Sequence, residues 1–380
     1  MSDADRIRVS FAEETTFGVK PGGTYKDLRI TGESLRQDTG TSTSAEIRDD
    51  RQTPDVIRTD VDAVGDINFE LSHGTFDDFF AAVLQSSGFS SPVVFGPATT
   101  VDAAAGDNSF NDSGSGFAFA ADQWIEVSGF VATANNGFFK IVSQTSAKIV
   151  VSGGTLSTEA AGASVTLTQG AQIVNGVDQK SFSIEKEYTD LSSVFELLVG
   201  LTIDQFNLSV TSDAIITGSF AFMGKSASSE TATDSSSKTA APTTEVMNAI
   251  DNVVAVLEGL ANFNVTAFSI GLTNNLRTRQ QVATLGAISI GAGKVEISGT
   301  LQAYFETSAI LDKYLNFDNS SLVLILKDDA GNAYVIDFPA VKYTSGQRVA
   351  GGQNSDIIAD LAWTAFRDAA EDVTIRIARF

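Results

Sequence analysis

Few side chains in this sequence come in combinations that could do chemistry. It has one histidine, His73, and no cysteine. A triad or a zinc site built on histidine needs an orienting partner or a second imidazole or thiolate ligand, and neither can be assembled around His73. A surface or capping role before the helix that follows it is the simpler reading. Gly218-Ser-Phe-Ala-Phe-Met-Gly224-Lys225-Ser226 imitates a phosphate-binding loop but has five residues between its glycines where the motif has four. Phe220 and Phe222 alternate as in a strand, and no helix-forming run after Ser226 supplies the dipole that would hold phosphate. Asp107-Asn-Ser-Phe-Asn-Asp-Ser-Gly114 carries calcium-loop residue types, yet Ala118 stands at the twelfth position, where a bidentate Glu is needed; a plain turn is favoured. Glu185 and Glu187 share one face of a strand and could act as acid and base in glycoside hydrolysis, but no aromatic-lined cleft accompanies them. No catalytic residue, metal site or cofactor is expected.

What must be positioned instead is a surface. One strand-rich pattern occurs twice. The run around Gly65 (Ile67, Phe69, Leu71) matches the run around Gly299 (Leu301, Ala303, Phe305), at an offset of 299 − 65 = 234. An even offset keeps the buried face in phase. Both runs lead into short helical patterns, Phe76, Asp78 and Phe80 being answered by Ile310, Asp312 and Tyr314. Upstream, Leu28 and Ile30 are matched with Phe268 and Ile270, at 268 − 28 = 240. Downstream, Phe182 and Ile184 are matched with Val323 and Ile325, at 323 − 182 = 141, and the run Asp213 to Phe220 with Asp356 to Trp363. The first copy therefore holds about 93 extra residues (234 − 141), between Leu84 and Phe182.

Composition agrees with a folded, β-rich chain. At 380 residues there is room for two or three domains, and 32 Gly against 6 Pro, with many Ser, Thr, Val and Ile, lean towards strands. A net charge of −22 without a basic stripe disfavours tight binding to nucleic-acid phosphate, while an acidic wall would let a polyanion pass without sticking. Met1-Ser-Asp-Ala-Asp-Arg6 does not read as a secretory signal, which implies cytoplasmic synthesis, and the most apolar stretch, Val194 to Ile203, is interrupted by Glu196 and too short to span a bilayer.

The predicted architecture is mainly β: two tandem sandwich or barrel modules, each with a short helix, and an inserted small all-β domain, Ig-like or barrel. Residues 1–92 and 171–225 form the first module, 93–170 the insert, 226–248 a linker rich in small polar residues, and 249–380 the second module. Strands are expected over Ile7 to Phe11, Leu28 to Ile30, Phe117 to Phe119, Trp124 to Val127, Phe138 to Val142, Lys148 to Val151, Val165 to Leu167 and Val373 to Ile377. Asn135-Asn136-Gly137 signals a hairpin, and Thr75 with Asp78 a helix start close to a capping box, burying Phe76, Phe79, Phe80, Val83 and Leu84. Between Leu35 and Val61 runs a polar stretch longer than ordinary loops, with mixed-sign charges at Arg36, Glu46, Arg48, Asp49, Asp50, Arg51, Asp55 and Arg58. It is a candidate arm for contact with another subunit.

The order of several motifs, Arg8-Val-Ser-Phe-Ala-Glu-Glu-Thr-Thr-Phe-Gly18, Ala45-Glu-Ile-Arg-Asp-Asp-Arg51, Val64-Gly-Asp-Ile-Asn-Phe-Glu-Leu71, Asn274-Asn-Leu276 and Gly351-Gly-Gln-Asn-Ser-Asp-Ile357, resembles the major tail tube proteins of long-tailed, siphovirus-like bacteriophages over nearly the whole chain. The inserted block, with Asn-Asn-Gly-Phe-Phe-Lys-Ile and Glu159-Ala-Ala-Gly-Ala-Ser-Val-Thr-Leu167, resembles the decoration some members carry. The resemblance implies a structural protein, not an enzyme. Its sheets would join around a channel in stacked rings, and a loop would reach the next ring. The lumen would carry the tape measure protein and later DNA, and tail terminator and distal tail proteins would be further partners. With two modules per chain, three copies would close a pseudo-hexamer. Other readings are a β-rich adhesin-like surface protein whose insert binds glycan, which would need secretion, and a glycosidase using Glu185 and Glu187.

Overall fold

Strands form almost wherever apolar residues alternate. The computed structural model describes residues 3–305, 308–350 and 352–380. Strands β1 (Ile7–Glu13), β2 (Thr24–Asp27), β3 (Gly32–Glu33), β4 (Arg36–Thr43) and β5 (Val56–Glu70) lead into helix α1 (Asp77–Val83). The inserted block follows as β6 (Val93–Ala98), β7 (Val101–Ala104), β8 (Ser109–Asp112), β9 (Trp124–Ser128), β10 (Gly137–Thr145), β11 (Lys148–Ser152) and β12 (Val165–Gln169). Next come β13 (Ala171–Val174), β14 (Phe182–Tyr188), β15 (Phe195–Thr211), β16 (Thr217–Gly224), β17 (Ser226–Glu230) and β18 (Ser237–Thr239). The last part holds β19 (Val253–Glu258), β20 (Ala261–Asn262), β21 (Ala267–Thr273), β22 (Arg277–Arg279), β23 (Ser289–Gly291) and β24 (Glu296–Tyr304), then helix α2 (Ala309–Asn316), β25 (Ser320–Lys327), β26 (Ala333–Ala350), β27 (Ile357–Ala365) and β28 (Arg376–Arg379).

The same pairing scheme runs through the chain twice. β1 pairs with β2 and β14 as β19 pairs with β20 and β25. β3, β5, β16 and β15 lie side by side in the order of β21, β24, β27 and β26. The long strands β15 and β26 each bend at a bulge, after Ile203 and Tyr343, so their first halves join a second layer with β14 and β17, or β25 and β28. α1 packs on β15 and α2 on β26. Gly65 faces Phe222 and Gly299 faces Trp363. A side-chain bond repeats as well: Ser34 Oγ accepts the Asp66 N–H and Ser269 Oγ the Thr300 N–H, both at 2.9 Å.

Registers correct several sequence matches. Leu28 is equivalent to Phe263, since their N–H groups donate to the matching carbonyls of Val9 and Val256; Leu28 to Ile30 follow β2 and are not themselves a strand. Phe182 and Ile184 answer Ser320 and Leu322, each pair flanking the same bulge, and not Val323 and Ile325. The odd offset had chosen the wrong face: Leu322, Leu324 and Leu326 enter the main core, whereas Val323 and Ile325 face the insert. Phe220 answers Leu361, and Phe222 answers Trp363, two residues from the expected match and on the same face.

Local structure differs from the sequence pattern in the same way. No capping box forms at α1: Phe76 is the N-cap, and Thr75 Oγ1 bonds to Ser72. Phe117 and Phe119 are buried but not in a strand, the hairpin at Asn135-Asn136-Gly137 forms between β9 and β10 through a longer connection with a 3-10 turn, and the last strand begins only at Arg376. The polar run after Gly224 is strand in part, because β17 completes the second layer on β15 and β18 pairs with β2.

β6 to β12 make a separate seven-stranded sheet around their own core of Phe110, Phe139, Ile141 and Leu167. This unit docks on the second copy. Trp124 and Phe138 pack with Val323, Ile325 and Val335, and the Trp124 indole donates to Asp337, a fully buried carboxylate, at 3.0 Å. Lys140 and Arg376 lie 2.9 and 3.3 Å from Asp337, and Glu371 pairs with both, at 2.6 and 2.8 Å.

Candidate functional site

The surfaces that distinguish this fold are its two hairpins, one broad sheet face and two strand edges. In β5 only residues from Ala63 onward pair with β16, so β4 and the start of β5 run on beyond the sheet as an arm, Arg36 opposite Val64 and Thr43 opposite Val56. The polar stretch is thus a ladder with an irregular tip at 44–55, not a loop throughout. Its Thr, Ser, Val and Ile residues favour extended backbone, which needs no core to be hydrogen-bonded. β22 and β23 form a shorter second arm, leaving the sheet after Thr273, at the same end. It rests against the first: Leu276 and Ile290 pack with Phe17 and Met223, and Gln280 donates to Asp60.

All eight charged candidates are exposed, but several are spent locally. Arg36 pairs with Asp38 at 2.9 Å and Arg48 with Asp50 at 2.8 Å, and Asp55 accepts its neighbour's Val56 N–H. Arg48 holds the Asp50 carboxyl below its usual range. Solvent screens such exposed pairs, and they contribute little to stability. Glu46, Asp49 and Arg51 lie at the tip, and Arg58 sits opposite Thr41 in the ladder. The residues missed by counting charges are apolar: Ile47 is fully exposed at the tip, joined by Val56 and Ile57, and the second arm exposes Val282, Leu285 and Ile288. The opposite end of the sheet exposes Ile215, Ile250, Tyr304 and Ile357. An isoleucine between Glu46 and Arg48 was the available signal.

Across the sheet, one lateral row reads Gly32, Asn68, Ser219, Asn207, Gly271, Ser298, Thr364 and Lys342, strand by strand. The row faces away from the core and, Lys342 apart, is made of glycine and small polar residues. On the same face Asp66, Glu70, Glu296 and Asp360 outnumber Lys342 and Arg36, which stands opposite Val64.

The chemical candidates resolve into structural roles. Lys238 bridges Glu185 and Glu187 at 2.9 and 2.7 Å; burial alone would lower its ammonium, but these bonds outweigh burial and raise it. Glu185 also accepts from Thr233 and the Asp234 N–H, so its oxygens are occupied. Asp107 pairs with Lys148, and Asp112 accepts from Thr100, Gly114 and Gly116. Residues 217–224 are strand β16 and are followed by another strand. Among the described residues no group of three potential metal ligands comes together, and no helix is long and apolar enough to cross a membrane.

A continuous sheet with two projecting arms at one end, and acids tied up in ion pairs, defines a structural assembly protein. A family model described as phage tail tube protein matches residues 4–365. The chain belongs to that family: it is a structural component of the virion tail and not an enzyme, and the family self-assembles into a tube with other tail proteins. A search of curated proteins found no match.

Proposed function

We propose that three copies close into a ring of six modules and that rings stack into the tube of a siphovirus-like tail, a conduit for DNA. The observation that carries this is the join inside the chain: the second half of β15 pairs with β21, so the first copy hands its sheet directly to the second. Repeating that join between chains closes a ring, because a heterologous contact that turns through a fixed angle either closes or spirals. Residues 1–92 and 171–225, extended by β17, form one module and 249–380 the other, with 93–170 as outer decoration. The polar row would face the lumen, which would carry the tape measure protein and where acidic side chains would repel the phosphates of passing DNA. The arms, including Arg36, Glu46, Arg48, Asp49, Asp50, Arg51, Asp55 and Arg58, would reach the next ring, and terminator and distal tail proteins would cover the two ends. Electron microscopy of the purified chain, combined with mass measurement, tests this: tubes with three chains per ring are expected. Six chains per ring would remove the pseudo-hexamer, and persistent monomers would remove the tube.

A further inference from the structure

We infer that the ring closes by antiparallel pairing of residues 345–348 in β26 with residues 35–38 of the next copy, Ser345 opposite Asp38, Gly346 opposite Gln37, Gln347 opposite Arg36 and Arg348 opposite Leu35. The inference rests on the ring reading above. Inside the chain, Gln205, Phe206, Asn207 and Leu208 of β15 stand opposite Thr273, Leu272, Gly271 and Ile270 of β21. Equivalent positions follow from the registers. Ile203 opposite Phe222 and Tyr343 opposite Trp363 each precede the bulge, so Gln205 maps onto Ser345. The repeated serine bond maps Ser34 onto Ser269 and therefore Leu35 onto Ile270. Among the described residues, neither the outer edge of 345–348 nor that of 35–38 is paired with a strand.

The chemistry of the two seams differs as their histories require. The internal seam is buried when the chain folds and is apolar, with Phe206, Leu208, Ile270 and Leu272 all in the core. The corresponding positions between chains are Gly346, Arg348, Leu35 and Gln37, and Glu33 falls diagonal to Arg348. An edge exposed until assembly must be polar, or it would pair with any strand it met. The ring space filled by Phe206 is taken instead by the α2 residue Tyr314, which lies so close to Gly346 that a Cβ there would be 2.9 Å from it.

The waiting edge is also capped. Ser34 N–H donates inward to Asp66, so strand alternation turns the Leu35 N–H outward. There it donates to the Glu33 carboxylate at 2.8 Å, and the Leu35 carbonyl accepts from Lys186 at 2.6 Å. Docking of Arg348 would replace Glu33 with a backbone carbonyl and set the guanidinium beside the released carboxylate.

The absence of cysteine makes the test clean. Arg36→Cys with Gln347→Cys places two thiols directly opposite across the seam, at ~4.5–5.5 Å between Cβ atoms, close to disulfide reach. Oxidised assemblies should run as covalent trimers, and no larger species, on non-reducing denaturing gels, several-fold more than Arg36→Cys with Ser345→Cys. Equal or better linkage in the shifted pair would overturn the register. Tubes that link in neither variant would overturn this seam while leaving the tube intact, whereas an unmodified chain that forms no tubes would overturn the ring reading itself.

Discussion

His73 lies half-buried with its ring 4.8 Å from that of Tyr334, and its Nε2 has no hydrogen-bond partner among the described residues. Burial pushes its imidazole below the ordinary value of 6.5, against the pull of Asp77. With the folded value depressed, the unfolded chain takes up the proton first. His73 therefore contributes stability present above about pH 6.5 and lost as pH falls through the folded value. Because it is the single histidine, melting temperatures should fall over this window in the native chain and flatten in His73→Gln. The buried clamp at Asp337 sets a larger effect. Asp337→Ala leaves Lys140 and Arg376 with one carboxylate, Glu371, at 2.6 and 2.8 Å, takes the acceptor from the buried Trp124 indole, and should cost about 1–3 kcal/mol in equilibrium unfolding. Trp124→Phe removes one donor and should cost about 1–3 kcal/mol. No sequence pattern announces this clamp, since 213 residues separate Trp124 from Asp337.

At the scale of strands and helices, Gly65 and Gly299 do the same work in the two copies, letting β5 and β24 pass close to the strand beside them. A Cβ would come 2.4 Å from Ser34 O at Gly65 and 1.9 Å from Ser269 O at Gly299. Alanine at either position should destabilise by ~1–3 kcal/mol or more, as overpacking does. Gly65→Ala should also suffer from its φ of 139°, and denaturant melts of the two variants check both effects. This pair was legible because alternation survives an even offset. The match of Phe182 with Val323 failed for the opposite reason: Leu322 to Leu326 are buried on both faces, one in the main core and one under the insert, so their apolar run carries no phase. The arm was legible as a polar stretch of unusual length. That it is a ladder depends on pairing β4 with β5 across the tip, which charge counting does not reveal.

For the whole molecule, the consequence is polarity. Both arms leave one end of the sheet with apolar tips, and the other end exposes Ile215, Ile250, Tyr304 and Ile357, so copies stacked in the same direction bring tips to ends. Burying one isoleucine is worth about 1.5–3 kcal/mol, modest for one chain but repeated by every chain around a ring. Ring closure and stacking by the arm tip use different residues, Arg36 at the base of the arm excepted, and should therefore separate. Ile47→Asp, or removal of residues 45–54, leaves the core and the edge at 35–38 untouched. The folded chain should melt as before, and rings should still trap the Arg36→Cys and Gln347→Cys disulfide, while sedimentation and microscopy show single rings in place of tubes. Val282→Asp should shorten tubes less, because the second arm is shorter and partly held down by Phe17 and Met223. Tubes of normal length from Ile47→Asp would move the stacking contact away from the arm tip and leave ring closure unaffected.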